Sequence, residues 1–145
     1  MACYRGRVRT PKPPAEVFGY LADMSRFDEW DPGISRAEQV AGDGPGVGSA
    51  YEMDASGTTF RYEVQAHEPD HLLHAVGDAK RFVSDDRITV EPDGEGSLVT
   101  YEADLRLKGW LRIGDPVLGL VFERIGAKSI AGLADELHGT VVAPS

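Results

Sequence analysis

The alternation of apolar and polar residues that fills most of this chain stops at Asp115-Pro116, and a helical pattern replaces it. Asp at the N-cap and Pro at the first helical position form a start signal. Beyond it, Leu118, Phe122, Ile125, Ser129 and Leu133 fall on one face at steps of three and four, with Arg124, Lys128 and Asp135 opposite. The spacing predicts one long amphipathic helix reaching about His138. A curved sheet has one apolar face, and here a single helix must cover it. A helix about 10 Å across does not fill the hollow of a wide sheet. Either large side chains fill the remaining space or a cavity is left.

The sheet is read from the period-two stretches. Tyr4, Gly6 and Val8 alternate with Arg5, Arg7 and Arg9, as in a half-buried strand. The stretch from Thr10 to Trp30 then interrupts the strands. Pro13 and Pro14 suit a first helical turn, and Val17, Phe18 and Leu21 give an apolar face. Asp23 can cap a second short helix that ends before Asp31-Pro32. Strands follow over Ile34–Val40, Gly48–Ala55, Thr58–His67, Leu72–Val76, Arg81–Glu91 and Ser97–Lys108. Ser56-Gly57 is a tight-hairpin signal, and Pro92-Asp93-Gly94-Glu95-Gly96 makes another turn. The glycines of 42–46 precede a strand, with no lysine and no helix after them, so they read as a hairpin loop rather than a phosphate cradle. The predicted order is one strand, two short helices, six strands and a long helix. It describes an α+β fold with one antiparallel sheet.

At 145 residues the chain is expected to be a single domain over 1–145. A domain of that size buries about 70% of its unfolded surface and needs no staples. Its one cysteine, Cys3, has no intramolecular partner, and no apolar run approaches the roughly 20 residues of a membrane span. A cytoplasmic protein without stable membrane insertion is expected. The 24 acidic against 15 basic residues give a net charge of −9, which repels phosphate backbones and argues against nucleic acid.

Strand parity names the inner surface. Phe60, Tyr62 and Val64 alternate with Arg61, Glu63 and Gln65. Val99, Tyr101, Ala103, Leu105 and Leu107 alternate with Thr100, Glu102, Asp104 and Arg106. Phe82, Ile88 and Val90 share a face with Ser84 and Asp86, and Tyr51 and Met53 face away from Glu52 and Asp54. An apolar, aromatic surface with a few polar groups suits a small-molecule site, and it equally suits a packed core. The hydroxyls of Tyr51, Tyr62 and Tyr101 need partners if buried. Asp86 is the sharpest residue. Desolvation raises the pKa of a buried carboxyl and makes acid–base chemistry possible, whereas a bulge at Asp85-Asp86 would send it to solvent. Asp86 is the only candidate for a catalytic group.

The remaining polar residues point elsewhere. His71 and His74 are three apart on an expected strand and face opposite ways, and His67 falls on the outward parity. No metal site and no cofactor is expected. Ser84 has no evident histidine partner for a hydrolytic triad. Gly119 and Gly126 lie seven apart beside the apolar stripe of the long helix, either for close packing on the sheet or to widen the room beneath it. Trp30 plugs the end of the short helix or walls the pocket entrance.

Pro13-Pro14-Ala15-Glu16-Val17-Phe18, leading through Asp23 to Trp30, resembles the START-like (SRPBCC) superfamily, in particular its polyketide cyclase/dehydrase and lipid-transport branch. Arg81-Phe82-Val83, Pro92-Asp93-Gly94 and Val99-Thr100-Tyr101-Glu102-Ala103-Asp104 are similar to that branch as well. The resemblance spans the whole chain. It implies a helix-grip fold, a seven-stranded antiparallel sheet wrapped around a long C-terminal helix with a hydrophobic tunnel between them. The superfamily includes carriers, hormone receptors, aromatase/cyclases and co-chaperone-like modules. No catalytic motif carries over position by position. The expected function is binding of a small hydrophobic or aromatic molecule, as carrier or sensor, by a monomer or homodimer. Trp30, Tyr51, Met53, Phe60, Tyr62, Phe82, Ser84, Asp86, Tyr101, Ala103, Leu118 and Phe122 would form the site. The alternatives are a polyketide-type cyclase or dehydratase using the same cavity, and an interaction module with a filled core.

Overall fold

A computed structural model describes residues 2–55, 57–108 and 115–142. β1 (Ala2–Thr10) is followed by α1 (Pro14–Leu21), a 3-10 turn (Met24–Arg26) and α2 (Phe27–Trp30). Six strands come next: β2 (Ile34–Ala41), β3 (Ala50–Ala55), β4 (Thr58–Glu68), β5 (Leu72–Asp78), β6 (Phe82–Asp93) and β7 (Gly96–Leu107). The long helix α3 (Asp115–Glu136) and a short β8 (Thr140–Val142) complete the order. Pro14 opens α1, where its missing N–H costs nothing, and the Asp23 side chain accepts from the Ser25 N–H to start the next turn.

All strands pair antiparallel in one sheet, ordered β2-β3-β4-β5-β6-β7-β1-β8. Among the described residues the sheet therefore has eight strands where seven were expected. The extra strand exists because α3 ends on His138 in the left-handed conformation (φ 54°), with the Gly139 N–H bonded to the Ala134 carbonyl at 2.8 Å. That turn lays Thr140–Val142 along Arg7–Arg9. Three residues are too few to show a period of two.

A second difference lies in β4. The register with β5 shifts between Val64 and Ala66, so Gln65 is an extra residue and parity flips beyond it. His67 then sits opposite Leu73, on the inner face, with its ring edge-on to Phe18 at 5.1 Å. The outward position expected for His67 is corrected accordingly. In β6 the register runs unbroken from Phe82 to Asp93 against β7, and Asp86 keeps its inward direction.

The helix grips the sheet unevenly. Ile130, Leu133 and Leu137 are fully buried with Val8, Val17, Leu21, Met24, Val90 and Val99. Each such side chain contributes about 1.5–3 kcal/mol through burial. Packing is close here: a Cβ on Gly132 would collide with the Trp30 carbonyl oxygen, and one on Gly6 with the Ile130 side chain. Further toward its N-terminus α3 leaves apolar side chains partly in solvent. Val121 is 49% exposed and Ile125 37%.

Candidate functional site

Between this part of α3 and the sheet lies a cavity of about 280 Å³. Its volume is many times the 10–15 Å³ or so that one water needs. Two inner-face rows of the sheet carry its floor, which Tyr62, Ser84, Asp86 and Leu105 line. Tyr62, Gly77, Ser84 and Leu105 are successive partners across β4 to β7, and Val64, Ala75, Asp86, Ala103 and Tyr4 form the next row. Met53 and Phe60, paired across β3 and β4, add the side near β2. Phe60 stacks at a tilt on Tyr62 (5.9 Å between ring centres) and on Phe82 (6.2 Å), so one run of aromatic rings walls that side. Phe122, Ile125 and Ser129 of α3 form the roof, with Tyr4 and Phe27 beside them.

The polar cluster centres on Asp86, only 6% exposed. Ser84 donates to Asp86 Oδ1 at 2.6 Å and Tyr101 donates to Oδ2 at 3.1 Å, and the Tyr62 hydroxyl belongs to the same cluster. Burial pushes the Asp86 pKa up to about 6, against the opposing pull of the three hydroxyls. Burial first, then the charge of Asp86, holds the Tyr62 and Tyr101 phenols well above their ordinary range. The hydroxyls therefore stay protonated and act as donors, while Asp86 changes charge close to neutrality. Its outward neighbour Asp85 is paired with His74 Nε2 at 2.9 Å, as strand alternation requires.

A second carboxylate, which sequence reading did not place in the site, also lines the cavity. Asp31 follows α2 and is 8% exposed. Its Oδ1 accepts from the Gly33 N–H at 2.9 Å and from Ser129 Oγ at 2.9 Å. Burial raises its pKa, and the two hydrogen bonds oppose the shift. Ser129 was the available signal, since a hydroxyl on the apolar stripe of a buried helix face needs a partner.

Of the residues named from sequence, Met53, Phe60, Tyr62, Phe82, Ser84, Asp86, Tyr101 and Phe122 line the cavity. Trp30, Tyr51 and Ala103 do not. Trp30 is buried behind Tyr101, edge-on at 6.1 Å, and supports the wall. Tyr51 shares a face with Met53 but is fully buried in the packed core. Ala103 is too short to reach past its row partners Asp86 and Tyr4. Leu118 and Gly119 lie in α3, and their side-chain surroundings fall outside what is described. At Gly126 the close-packing role is seen: the Tyr4 ring packs where its Cβ would be, and both residues line the cavity. Among the described residues no three His, Cys, Asp or Glu side chains converge as a metal site would require, and no helix is long and apolar enough to cross a membrane.

The fold has many solved counterparts. A START superfamily protein from Mycobacterium smegmatis superimposes with a TM-score of 0.72 at 17% identity, covering 94% of this chain and 94% of that one. The Zhui aromatase/cyclase from Streptomyces sp. R1128 gives 0.75 at 16% identity, covering 94% and 93%. A protein from Thermus thermophilus gives 0.76 at 15% identity, covering 94% and 97%. Likeness at such identities speaks for the fold, which is the helix-grip fold of the START-like superfamily. No curated protein matches the chain by sequence. The family model described as polyketide cyclase / dehydrase and lipid transport matches residues 1–138, and the chain belongs to that family.

Proposed function

We infer that the protein binds a small hydrophobic or aromatic molecule between the sheet and α3, as a carrier or sensor. The observation that carries this reading is the aromatic cavity with two localised polar groups, the Asp86 cluster and the Asp31–Ser129 pair. Apolar walls supply affinity and a few fixed polar groups supply orientation. Met53, Phe60, Phe82 and Phe122 would contact the apolar body, and Ser84, Asp86 and the two tyrosines would orient a polar end. An unfilled volume of this size also argues against a module whose interior is wholly packed.

Native mass spectrometry of protein purified from its own host tests the reading directly. A co-purifying apolar mass is expected. In parallel, the neutral reporter N-phenyl-1-naphthylamine should gain fluorescence on addition of the protein. Absence of both signals would refute binding.

The geometry of Asp86 favours one further reading, a cyclase or dehydratase. A carboxyl with a pKa of about 6, held by hydroxyl donors, suits proton transfer at neutral pH. The same cavity would fold a poly-carbonyl chain into a reactive pose. Turnover of the co-purified molecule, lost in Tyr101→Phe while binding persists, would distinguish an enzyme from a carrier.

A further inference from the structure

We propose that the molecule held in this cavity carries a cationic amine, and that Asp86 and Asp31 select it over neutral and anionic analogues; the proposal rests on the binding reading above. Both carboxylates line the cavity and both are almost wholly buried. Their hydrogen-bond partners are hydroxyls and one backbone N–H: Ser84 and Tyr101 for Asp86, Ser129 and Gly33 for Asp31. Among the described residues no Lys, Arg or His lines the cavity.

A buried carboxylate without a cation is costly, and a hydroxyl donor offsets only part of that cost. The raised pKa of each carboxyl reflects this deficit. An ammonium group entering the cavity supplies the missing positive charge and forms charge-assisted hydrogen bonds. The aromatic walls act in the same direction. Phe27, Phe60 and Phe82 line the cavity, and an aromatic ring attracts a cation that approaches its face. A ligand carboxylate meets the opposite field and would have to enter beside like charges. A neutral alcohol satisfies the same acceptors, but without the charge term.

Three probes with one aromatic body separate these cases: 2-(1-naphthyl)ethylamine, 2-(1-naphthyl)ethanol and 1-naphthylacetate. Each is titrated against the protein loaded with N-phenyl-1-naphthylamine at pH 7.5. The amine is expected to displace the reporter at a concentration about tenfold or more below that of the alcohol, the discrimination a charged hydrogen bond provides. Naphthylacetate is expected to be the weakest. Asp86→Asn should bring the amine and alcohol together, and Asp31→Asn should narrow the gap. The second variant serves if the first does not fold. Reporter binding with no amine preference, or with naphthylacetate strongest, overturns the proposal and leaves the binding reading intact. Full amine preference in both variants also overturns it. Failure of the reporter and of all three probes to bind overturns the binding reading and the proposal together.

Discussion

The ring of Tyr62 lies flat across Gly77, its partner on β5, so that a Cβ on Gly77 would stand 2.6 Å from the ring's Cζ. The glycine lets the phenol cross one strand and reach Ser84 and Asp86 on the next. Gly77→Ala should therefore push the ring up into the cavity and detach its hydroxyl from Asp86. Overpacking of this kind costs about 1–3 kcal/mol. Chemical denaturation should show that loss, and reporter fluorescence should fall with it. Unchanged reporter binding would mean that the ring has another place to go.

Asp86 gives stability a pH dependence of defined sign. Its folded pKa of about 6 lies above the ordinary carboxylate value of 3.8, so the folded state holds the proton more tightly than the unfolded chain. The contribution is fully present below the ordinary value and is lost as pH rises through about 6. The lost amount is on the order of 3 kcal/mol. Asp86→Asn carries no such proton, so the variant should gain stability relative to the parent between pH 4 and pH 7. Urea melts of both proteins across that window measure the difference. A constant difference would contradict a buried, titrating carboxyl.

How much of this could be read from sequence depended on how far regular alternation held. In β6 and β7 it held from end to end, and Ser84, Asp86 and Tyr101 were located by parity alone. In β4 one extra residue at Gln65, unmarked by glycine or proline, turned His67 inward. Parity gives a face and no depth, which is why Tyr51 and Met53 were grouped although only Met53 reaches the cavity. Asp31 read as the end of a helix because the partner that ties it to the cavity, Ser129, is distant in sequence. Ser129 is 98 residues away, and only the packing of α3 brings the two together.

Ser129→Ala tests that long-range pair. The serine donates to Asp31 at 2.9 Å, and without it the carboxyl keeps only the Gly33 N–H among the donors described. Leaving a buried acceptor short of a partner costs about 1–3 kcal/mol. The Asp31 pKa, already raised by burial, should rise further because the hydrogen bond that opposes burial is gone. The penalty should therefore be full at pH 7.5 and shrink as acid protonates Asp31. Denaturation at pH 7.5 and at pH 4 measures both values, and an equal loss at the two would show that the hydroxyl acts through packing alone.

Leu105 and Leu73 offer opposite outcomes for the same substitution. Leu105 borders the cavity, half-buried, in the row of Ser84, whereas Leu73 is 2% exposed in the packed part of the sheet. An indole at position 105 can occupy the cavity, and an indole at position 73 has no free volume to enter. Leu73→Trp should lose about 1–3 kcal/mol from overpacking. Leu105→Trp should stay within about 1 kcal/mol of the parent and reduce reporter affinity by about tenfold or more, the equivalent of at least about 1.4 kcal/mol. Calorimetric melting and reporter titration on the two variants make the comparison. Equal destabilisation at both positions, with reporter binding retained, would place the binding volume elsewhere than under α3.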